Sequence, residues 1–176
     1  IGQIQLAKIK DFPRFENVIL KNKDHFITIA NRDAVASLVA RGGGVRDIQV
    51  RKLVRPDGQF MGIVHVYMDP CEAMGANLIN QVCEYLKKPI EELTGEKVTM
   101  CILSNLVDSK LTQVNINIKV DAELGEKIEE ASLFAELDPY RAATNNKGIL
   151  NGVDPIVIAT GNDWRAVEAG MHAYTA

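Results

Sequence analysis

Apolar residues recur along the first hundred positions with two spacings, one typical of strands and one typical of helices. Strand-like runs, rich in β-branched residues, lie at residues 1–9, 47–54, 60–68 and 97–103. Apolar positions three and four residues apart predict helices over residues 22–40 and 73–93. Glycines follow the first predicted helix at Gly42, Gly43 and Gly44, and Thr94 and Gly95 follow the second. The elements therefore follow the order β-α-β-β-α-β.

This order is that of a ferredoxin-like split β-α-β arrangement and predicts an α+β fold. Beyond it, Val114, Ile116, Ile118 and Val120 alternate with polar residues, and a helix is predicted over residues 122–137. We predict a small ferredoxin-like domain over residues 1–106, with residues 107–176 forming part of a larger mixed α/β domain. The chain begins with isoleucine and stops in an apolar helical stretch, so we expect a fragment truncated at both ends.

Composition excludes several classes of protein. Hydrophobic residues make up 47% of the 176 positions, which is ordinary for a globular protein. The net charge of -3, without a long basic run, argues against nucleic acid as the main partner. No apolar run approaches the ~20 residues that span a bilayer, and no signal peptide is recognisable. Three cysteines without CxxC spacing predict no disulfide framework and no metal site, with a reducing cytoplasm as the expected compartment.

Two glycine-containing segments are candidates for phosphate binding. The glycines at 42–44 end a helix and precede a strand, whereas phosphate-binding loops run from strand to helix. We expect them to cap the helix and to permit close backbone approach. The segment DPCEAMGANLIN, residues 69–80, has the favourable order, with Gly75 and Asn77 at the predicted helix start. An anion can bind those amides; alternatively, Asp69 or Glu72 caps the helix and Gly75 packs against the sheet.

A second candidate site lies in NNKGILNGVDPIVIATGNDWRAVEAG, residues 145–170. In a helix, Lys147 and Asn151 stand one turn apart on one face, and Arg141 can approach that face from the preceding loop. Asp163 follows an apolar run and suits the N-cap of the next helix. A lysine and an aspartate held together away from water can polarise a carbonyl and stabilise its oxyanion. The alternative is a surface charge at Lys147 and a purely structural cap at Asp163.

Three stretches carry a resemblance to a known family. CEAMGANLIN resembles the DAMGAN motif of hydroxymethylglutaryl-CoA (HMG-CoA) reductases. PYRAATNNKGILNGVDPIVIATGNDWRAVEAG is similar to that family's substrate and catalytic region, and LSNL, residues 103–106, also fits. The class II enzymes, which lack a membrane anchor, are the better match. The resemblance implies interconversion of HMG-CoA and mevalonate plus CoA by two hydride transfers from NADH or NADPH, without a metal. It also implies a homodimer, or a higher oligomer of dimers, with active sites at the subunit interface.

The resemblance also implies roles for individual residues. Lys147 matches the lysine that polarises the thioester and later the aldehyde carbonyl, and Asp163 matches the aspartate that holds it. Arg141 and Asn151 match positions that bind the hydroxymethylglutaryl group. The residues that match the dinucleotide-binding positions are Glu72, Ala73, Met74, Gly75, Asn77 and Asn105.

The sequence departs from the family's pattern at several points. Glu72 stands where the family usually has aspartate. The family's catalytic glutamate and histidine have no counterpart here; we take Glu16 in FENVIL and His172 as coincidental, and expect the chain alone to be inactive.

Cofactor choice depends on residues near the end of the first predicted helix. Asp33 lies one position before the place where NADH-preferring members carry an acidic residue for the ribose 2′-hydroxyl, and Arg32 and Arg41 suit the 2′-phosphate of NADPH. We favour NADH or dual use. Two alternatives remain, a non-catalytic ferredoxin-like binding or regulatory module and a reductase of another short acyl-CoA.

Overall fold

A computed structural model describes residues 1–175 of the chain. The chain divides into two compact units, the first spanning Ile1–Ser104 and the second beginning at Asn105.

The first unit is built on a four-stranded antiparallel sheet. Its strands are β1 (Gly2–Ile9), β2 (Gly44–Val54), β3 (Phe60–Asp69) and β4 (Met100–Leu103), in the spatial order β2-β3-β1-β4. In the register, Ile4 of β1 faces Val64 of β3 on one side and Cys101 of β4 on the other. All four strands were predicted, although β4 begins at Met100 rather than at residue 97. The mixed α and β composition is therefore confirmed.

The helices of the first unit differ from the prediction at the start of the chain. Residues 22–40 form three segments rather than one helix, namely α2 (Lys23–Ile29), a π-helical turn (Ala30–Ala34) and α3 (Ala36–Val39). The π-helical turn arises because the Val35 amide donates to the carbonyl of Ala30, five residues earlier, at 3.2 Å.

An additional helix, α1 (Phe12–Lys21), precedes these segments and was not predicted. Asp11 caps it by accepting a hydrogen bond from the Arg14 amide at 3.0 Å, and Pro13 lies in its first turn. An Asp cap and an early proline are standard start signals, so the sequence did carry this information.

The helix α4 (Ala76–Thr94) completes the first unit and ends at Gly95, as predicted, with φ +73°. Alternate residues of the strands pack against the helices in one apolar core. Its largest fully buried side chains include Phe15, Phe26, Ile4, Leu6 and Leu86.

Residues 105–175 of the second unit contain three helices, α5 (Ala122–Leu137), α6 (Pro139–Ala159) and α7 (Trp164–Tyr174). The helix predicted over residues 122–137 is confirmed. Residues 111–120 form no strand despite their alternating pattern, and Ile116 is 77% exposed. A strand needs a neighbouring strand to pair its backbone groups, and the described residues provide none here. The apolar run IVIA belongs to α6 and is also exposed, with Ile156 at 67%.

Candidate functional site

The N-terminus of α4 has free backbone amides. Gly75 is its N-cap with φ +88°, and no side chain in the described chain caps the helix. The expectation that Asp69 or Glu72 does so is wrong, because α4 begins three residues later than predicted, at Ala76. The Asp69 carboxylate instead accepts a hydrogen bond from the Cys71 amide at 3.0 Å, and Glu72 is exposed.

The motif Glu72–Asn77 forms a tight turn that presents three side chains to solvent. The Ala73 amide donates to the Pro70 carbonyl at 3.1 Å. A Cβ on Gly75 would lie 2.8 Å from the Pro70 Cβ, so Gly75 packs against Pro70 rather than against the sheet. Glu72, Met74 and Asn77 are exposed. The turn therefore combines an uncapped helix N-terminus with accessible polar groups, which suits an anionic ligand.

The glycine loop at residues 42–44 lies against Asp69 and Cys71, which precede this motif. The Gly43 amide donates to the Leu38 carbonyl at 3.0 Å and thereby closes α3. A Cβ on Gly43 would lie 2.6 Å from the Asp69 carbonyl oxygen, so only glycine permits this approach. The expectation that these glycines cap a helix and allow close backbone contact is confirmed.

Arg32 and Asp33, two of the three residues that bear on cofactor choice, are bound to one another, whereas Arg41 donates to the Ser37 carbonyl. The Arg32 guanidinium donates two hydrogen bonds to the Asp33 carboxylate, from Nε to Oδ1 at 2.6 Å and from Nη2 to Oδ2 at 2.7 Å. The hydroxyl of Tyr85 on α4 donates to Asp33 Oδ2 at 2.6 Å. These hydrogen bonds lower the pKa of Asp33 to about 2. Sequence reasoning missed Tyr85, which is 52 residues from its partner and belongs to no motif.

In the second unit, Lys147 and Asn151 lie four residues apart on one face of α6. Residues 147–152 are helical, and the side chains of Lys147 and Asn151 are exposed. Arg141 does not come from a preceding loop. The Asp138 carboxylate accepts from the Arg141 amide at 2.9 Å and Pro139 opens the helix, so Arg141 already lies in the first turn of α6. Its position is roughly a third of a turn from Lys147 around the helix axis.

Asp163 caps α7, as predicted. Its Oδ1 accepts hydrogen bonds from the amides of Arg165 and Ala166 at 3.1 and 3.2 Å. Among residues 1–175, no hydrogen bond or ion pair joins Lys147 to Asp163. The described chain thus has the lysine and the aspartate on consecutive helices without a direct bond between them.

A further pair of carboxyl groups lies in the second unit. Asp154 follows Lys147 by seven residues, two turns along the same face of α6, and its Oδ1 is buried without a hydrogen-bond partner in the described residues. Burial and the nearby Asp154 raise the pKa of Glu168 on α7. Sequence reasoning missed this pair, although the seven-residue spacing from Lys147 was visible.

Asn105 stands at the start of the second unit with an exposed side chain. Its carbonyl oxygen lies 2.6 Å from where a Cβ on Gly170 would stand, so the backbone at Asn105 packs closely on α7. In the part of the chain that the structure describes, no helix is long and apolar enough to cross a membrane. The same residues contain no group of three or more His, Cys, Asp or Glu side chains suited to hold a metal ion.

These features define an α+β protein of two units, with an anion-compatible helix N-terminus in the first and a lysine and amide on one helix face in the second. The sequence model of the family "Hydroxymethylglutaryl-coenzyme A reductase" matches residues 1–176. The chain therefore belongs to the hydroxymethylglutaryl-coenzyme A reductase family.

Individual relatives agree with this assignment. The chain is 42% identical over 180 residues to the 3-hydroxy-3-methylglutaryl-coenzyme A reductase of Archaeoglobus fulgidus, covering 100% of this chain and 41% of the relative. The reductase of Streptococcus pneumoniae superposes with a TM-score of 0.85 at 40% identity, covering 98% of this chain and 48% of that one. A class II structure from the same organism, bound to NADPH in open conformations, gives a TM-score of 0.82 at 38% identity, covering 98% and 43%. The chain spans less than half the length of these relatives.

Proposed function

We propose that the protein interconverts HMG-CoA and mevalonate plus CoA by two hydride transfers between the acyl group and a nicotinamide dinucleotide. The observation that carries this proposal is the position of Lys147 and Asn151 on one exposed helix face, in a chain of the reductase family. A cation and an amide one turn apart can contact the same small, polar acyl group.

Lys147 is proposed to donate a hydrogen bond to the thioester carbonyl and then to the aldehyde carbonyl, which stabilises the negative charge that develops on each oxygen. Asp163 is proposed to hold the ammonium group of Lys147, in addition to capping α7. Arg141 and Asn151 are proposed to bind the carboxylate and hydroxyl of the hydroxymethylglutaryl group.

The dinucleotide is proposed to bind the motif Glu72–Asn77, and a role in dinucleotide binding is proposed separately for Asn105. Two features support this proposal: the uncapped amides of α4 suit a pyrophosphate, and the exposed side chains of Glu72 and Asn77 suit ribose or carboxamide groups. A relative with 38% identity is described as bound to NADPH.

For the choice of cofactor we propose NADH or dual use. The Arg32 guanidinium is already paired with the Asp33 carboxylate, which reduces the positive charge available to a 2′-phosphate. The exposed Asp33 carboxylate remains an anionic acceptor that a ribose hydroxyl can approach.

We also propose that two copies of the protein associate. Support comes from the second unit, where Ile116, Phe134 and Ile156 expose most of their apolar side chains. Sedimentation velocity on the intact protein tests this, and a monomer at micromolar concentration contradicts it.

The activity is tested by mevalonate- and CoA-dependent reduction of NAD⁺ and NADP⁺, measured in parallel on the intact protein. Replacing the proposed oxyanion donor, Lys147→Ala, is expected to lower kcat by at least about 100-fold. Lys127→Ala, which removes an exposed lysine from a helix of the same unit, serves as the control and retains activity. Equal activity in both variants contradicts the role of Lys147, and no activity in the folded wild-type protein contradicts the proposed reaction. Activity with NADP⁺ and none with NAD⁺ contradicts the proposed cofactor choice.

A further inference from the structure

Asn31 fixes the beginning of β2 through hydrogen bonds in both directions. Its Nδ2 donates to the Val45 carbonyl at 3.0 Å, and its Oδ1 accepts from the Val45 amide at 2.7 Å. The Asn31 side-chain amide therefore pairs with both backbone groups of Val45, as a neighbouring strand would at the edge of the sheet. Gly44 adopts φ +115°, and a Cβ there would lie 2.7 Å from Asn31 Oδ1. The contact between the π-helical turn and β2 thus depends on a glycine at position 44.

Gly43 is a second position that requires glycine, and it contacts the loop before the proposed dinucleotide motif. Its φ lies outside the left-handed region, so space rather than backbone conformation is what requires glycine. A Cβ on Gly43 would lie 2.6 Å from the Asp69 carbonyl oxygen and 2.8 Å from the Cys71 sulfur. One of these atoms is backbone, so an added methyl group must displace the chain immediately before Glu72.

Polar contacts hold the same loop from the side of β2 and α3. Arg46 forms an ion pair with Asp69 at 3.6 Å and also donates to the Gly42 carbonyl. The Cys71 thiol donates to the Arg41 carbonyl at 3.6 Å. Cys71 has φ +52°, a conformation that a non-glycine residue adopts only when its surroundings hold it.

We propose that Asn31 and Gly43 are positioning residues for the dinucleotide motif. Asn31 sets the start of β2, Gly43 sets the distance from there to Asp69 and Cys71, and these two residues orient the turn Glu72–Asn77. Neither residue contacts the cofactor in this proposal, which rests on the proposed dinucleotide-binding function of the motif. Displacements of about 1 Å in a binding turn can change affinity and rate by up to roughly 100-fold, so a methyl group at Gly43 is sufficient to show the effect.

The test measures NADH and NADPH binding to the intact protein by cofactor fluorescence, together with the KM for the dinucleotide and for mevalonate. Gly43→Ala is expected to weaken dinucleotide binding at least about tenfold and to raise the dinucleotide KM, with the mevalonate KM unchanged. The matched control is Gly62→Ala, near the opposite end of β3, where a Cβ would meet the Ile9 and Phe15 side chains. It adds the same methyl group to a crowded position, so it lowers the melting temperature but leaves dinucleotide affinity unchanged.

Asn31→Ala and Asn31→Asp provide a second series, which keeps the test decisive if Gly43→Ala does not fold. Asp retains the acceptor for the Val45 amide but sets a carboxylate oxygen against the Val45 carbonyl, so Asn31→Asp is expected to lose dinucleotide affinity as Asn31→Ala does. Wild-type affinity in Gly43→Ala, or in Asn31→Ala where Gly43→Ala is unfolded, overturns the proposal. An equal loss in Gly62→Ala also overturns it. A wild-type protein that binds neither dinucleotide instead contradicts the proposed function on which the inference rests.

Discussion

Both units of this chain contain regular helices, but the two units differ in how far their apolar side chains are buried. In the first unit, sheet and helices enclose a continuous core. In the second, Leu150 is the one buried apolar residue among those described. The helices α5, α6 and α7 nevertheless each begin at an aspartate that accepts hydrogen bonds from their first turn, namely Asp121, Asp138 and Asp163. Local capping is therefore sufficient to define where helices begin, whereas a core requires more apolar partners than residues 105–175 supply to one another.

The largest expected effect comes from truncating one phenylalanine in each unit of the 176-residue chain. Phe15→Ala, at a position only 2% exposed, is expected to lower the free energy of unfolding by about 3–5 kcal/mol. Phe134→Ala, at a position 55% exposed, is expected to cost less than about 1 kcal/mol. Urea denaturation followed by circular dichroism measures both. Equal costs would show that the second unit has a core of its own.

A smaller effect tests the aspartate caps. Asp163→Ala removes the acceptor for two amides and is expected to destabilise α7 by about 1 kcal/mol, measured by hydrogen exchange of the α7 amides. Asp163→Asn caps about equally well, so it is expected to stay close to wild-type stability.

The same pair of variants separates the two roles of Asp163. If the carboxylate also holds Lys147, Asp163→Asn lowers the activity of the intact protein although the helix remains capped. Wild-type activity in Asp163→Asn would leave Asp163 with the structural role alone.

Much of the first unit could be predicted because its signals are local. Strands β1 to β4 follow from alternation and β-branched residues, and the end of α4 follows from Gly95. The π-helical turn was not predicted, because one backbone hydrogen bond between Val35 and Ala30 defines it. The contacts that Asn31 and Asp33 make with Val45 and Tyr85 join residues far apart in the chain, so they have no local signal either. At residues 111–120 the local pattern is present but the element is not. These residues alternate as a strand does, but a strand forms only where a neighbouring strand can pair with it.

Local patterns identified both candidate segments, and the family motifs then assigned roles to their residues. Asn31 and Tyr85, which fix the surroundings of the first candidate segment, belong to none of these motifs, and Asp154 lies in the family-like stretch of residues 139–170 without a role assigned to it there. Their partners come from other elements, so only the folded structure brings them together.

Acid titration is expected to distinguish the two units further, starting with Asp33 in the first. Hydrogen bonds from Arg32 and Tyr85 lower its pKa from 3.8 to about 2. A lowered pKa contributes stability that is present above pH 3.8 and is lost as the pH falls towards 2. In thermal unfolding, the stability advantage of the wild type over Asp33→Asn should therefore shrink over this range. An advantage independent of pH would show that the carboxylate is not held by its partners.

Glu168 in the second unit is expected to respond with the opposite sign. Burial and the adjacent Asp154 raise its pKa above the ordinary value of 4.5, and the effect of His172 is to lower it. The folded chain then binds a proton at Glu168 more tightly than the unfolded chain does. The contribution of Glu168 to the stability of the fold is therefore complete below pH 4.5 and is lost as the pH rises through the folded-state pKa.

Gln resembles the protonated acid, so Glu168→Gln should gain stability relative to the wild type as the pH rises, measured by thermal unfolding from pH 4 upward. Glu123→Gln, an exposed partner of Lys127, is the control and should show no such gain. A Glu168→Gln difference that is constant with pH would show that the pKa of Glu168 is not raised in the folded chain, and Glu168 would then not differ in sign from Asp33.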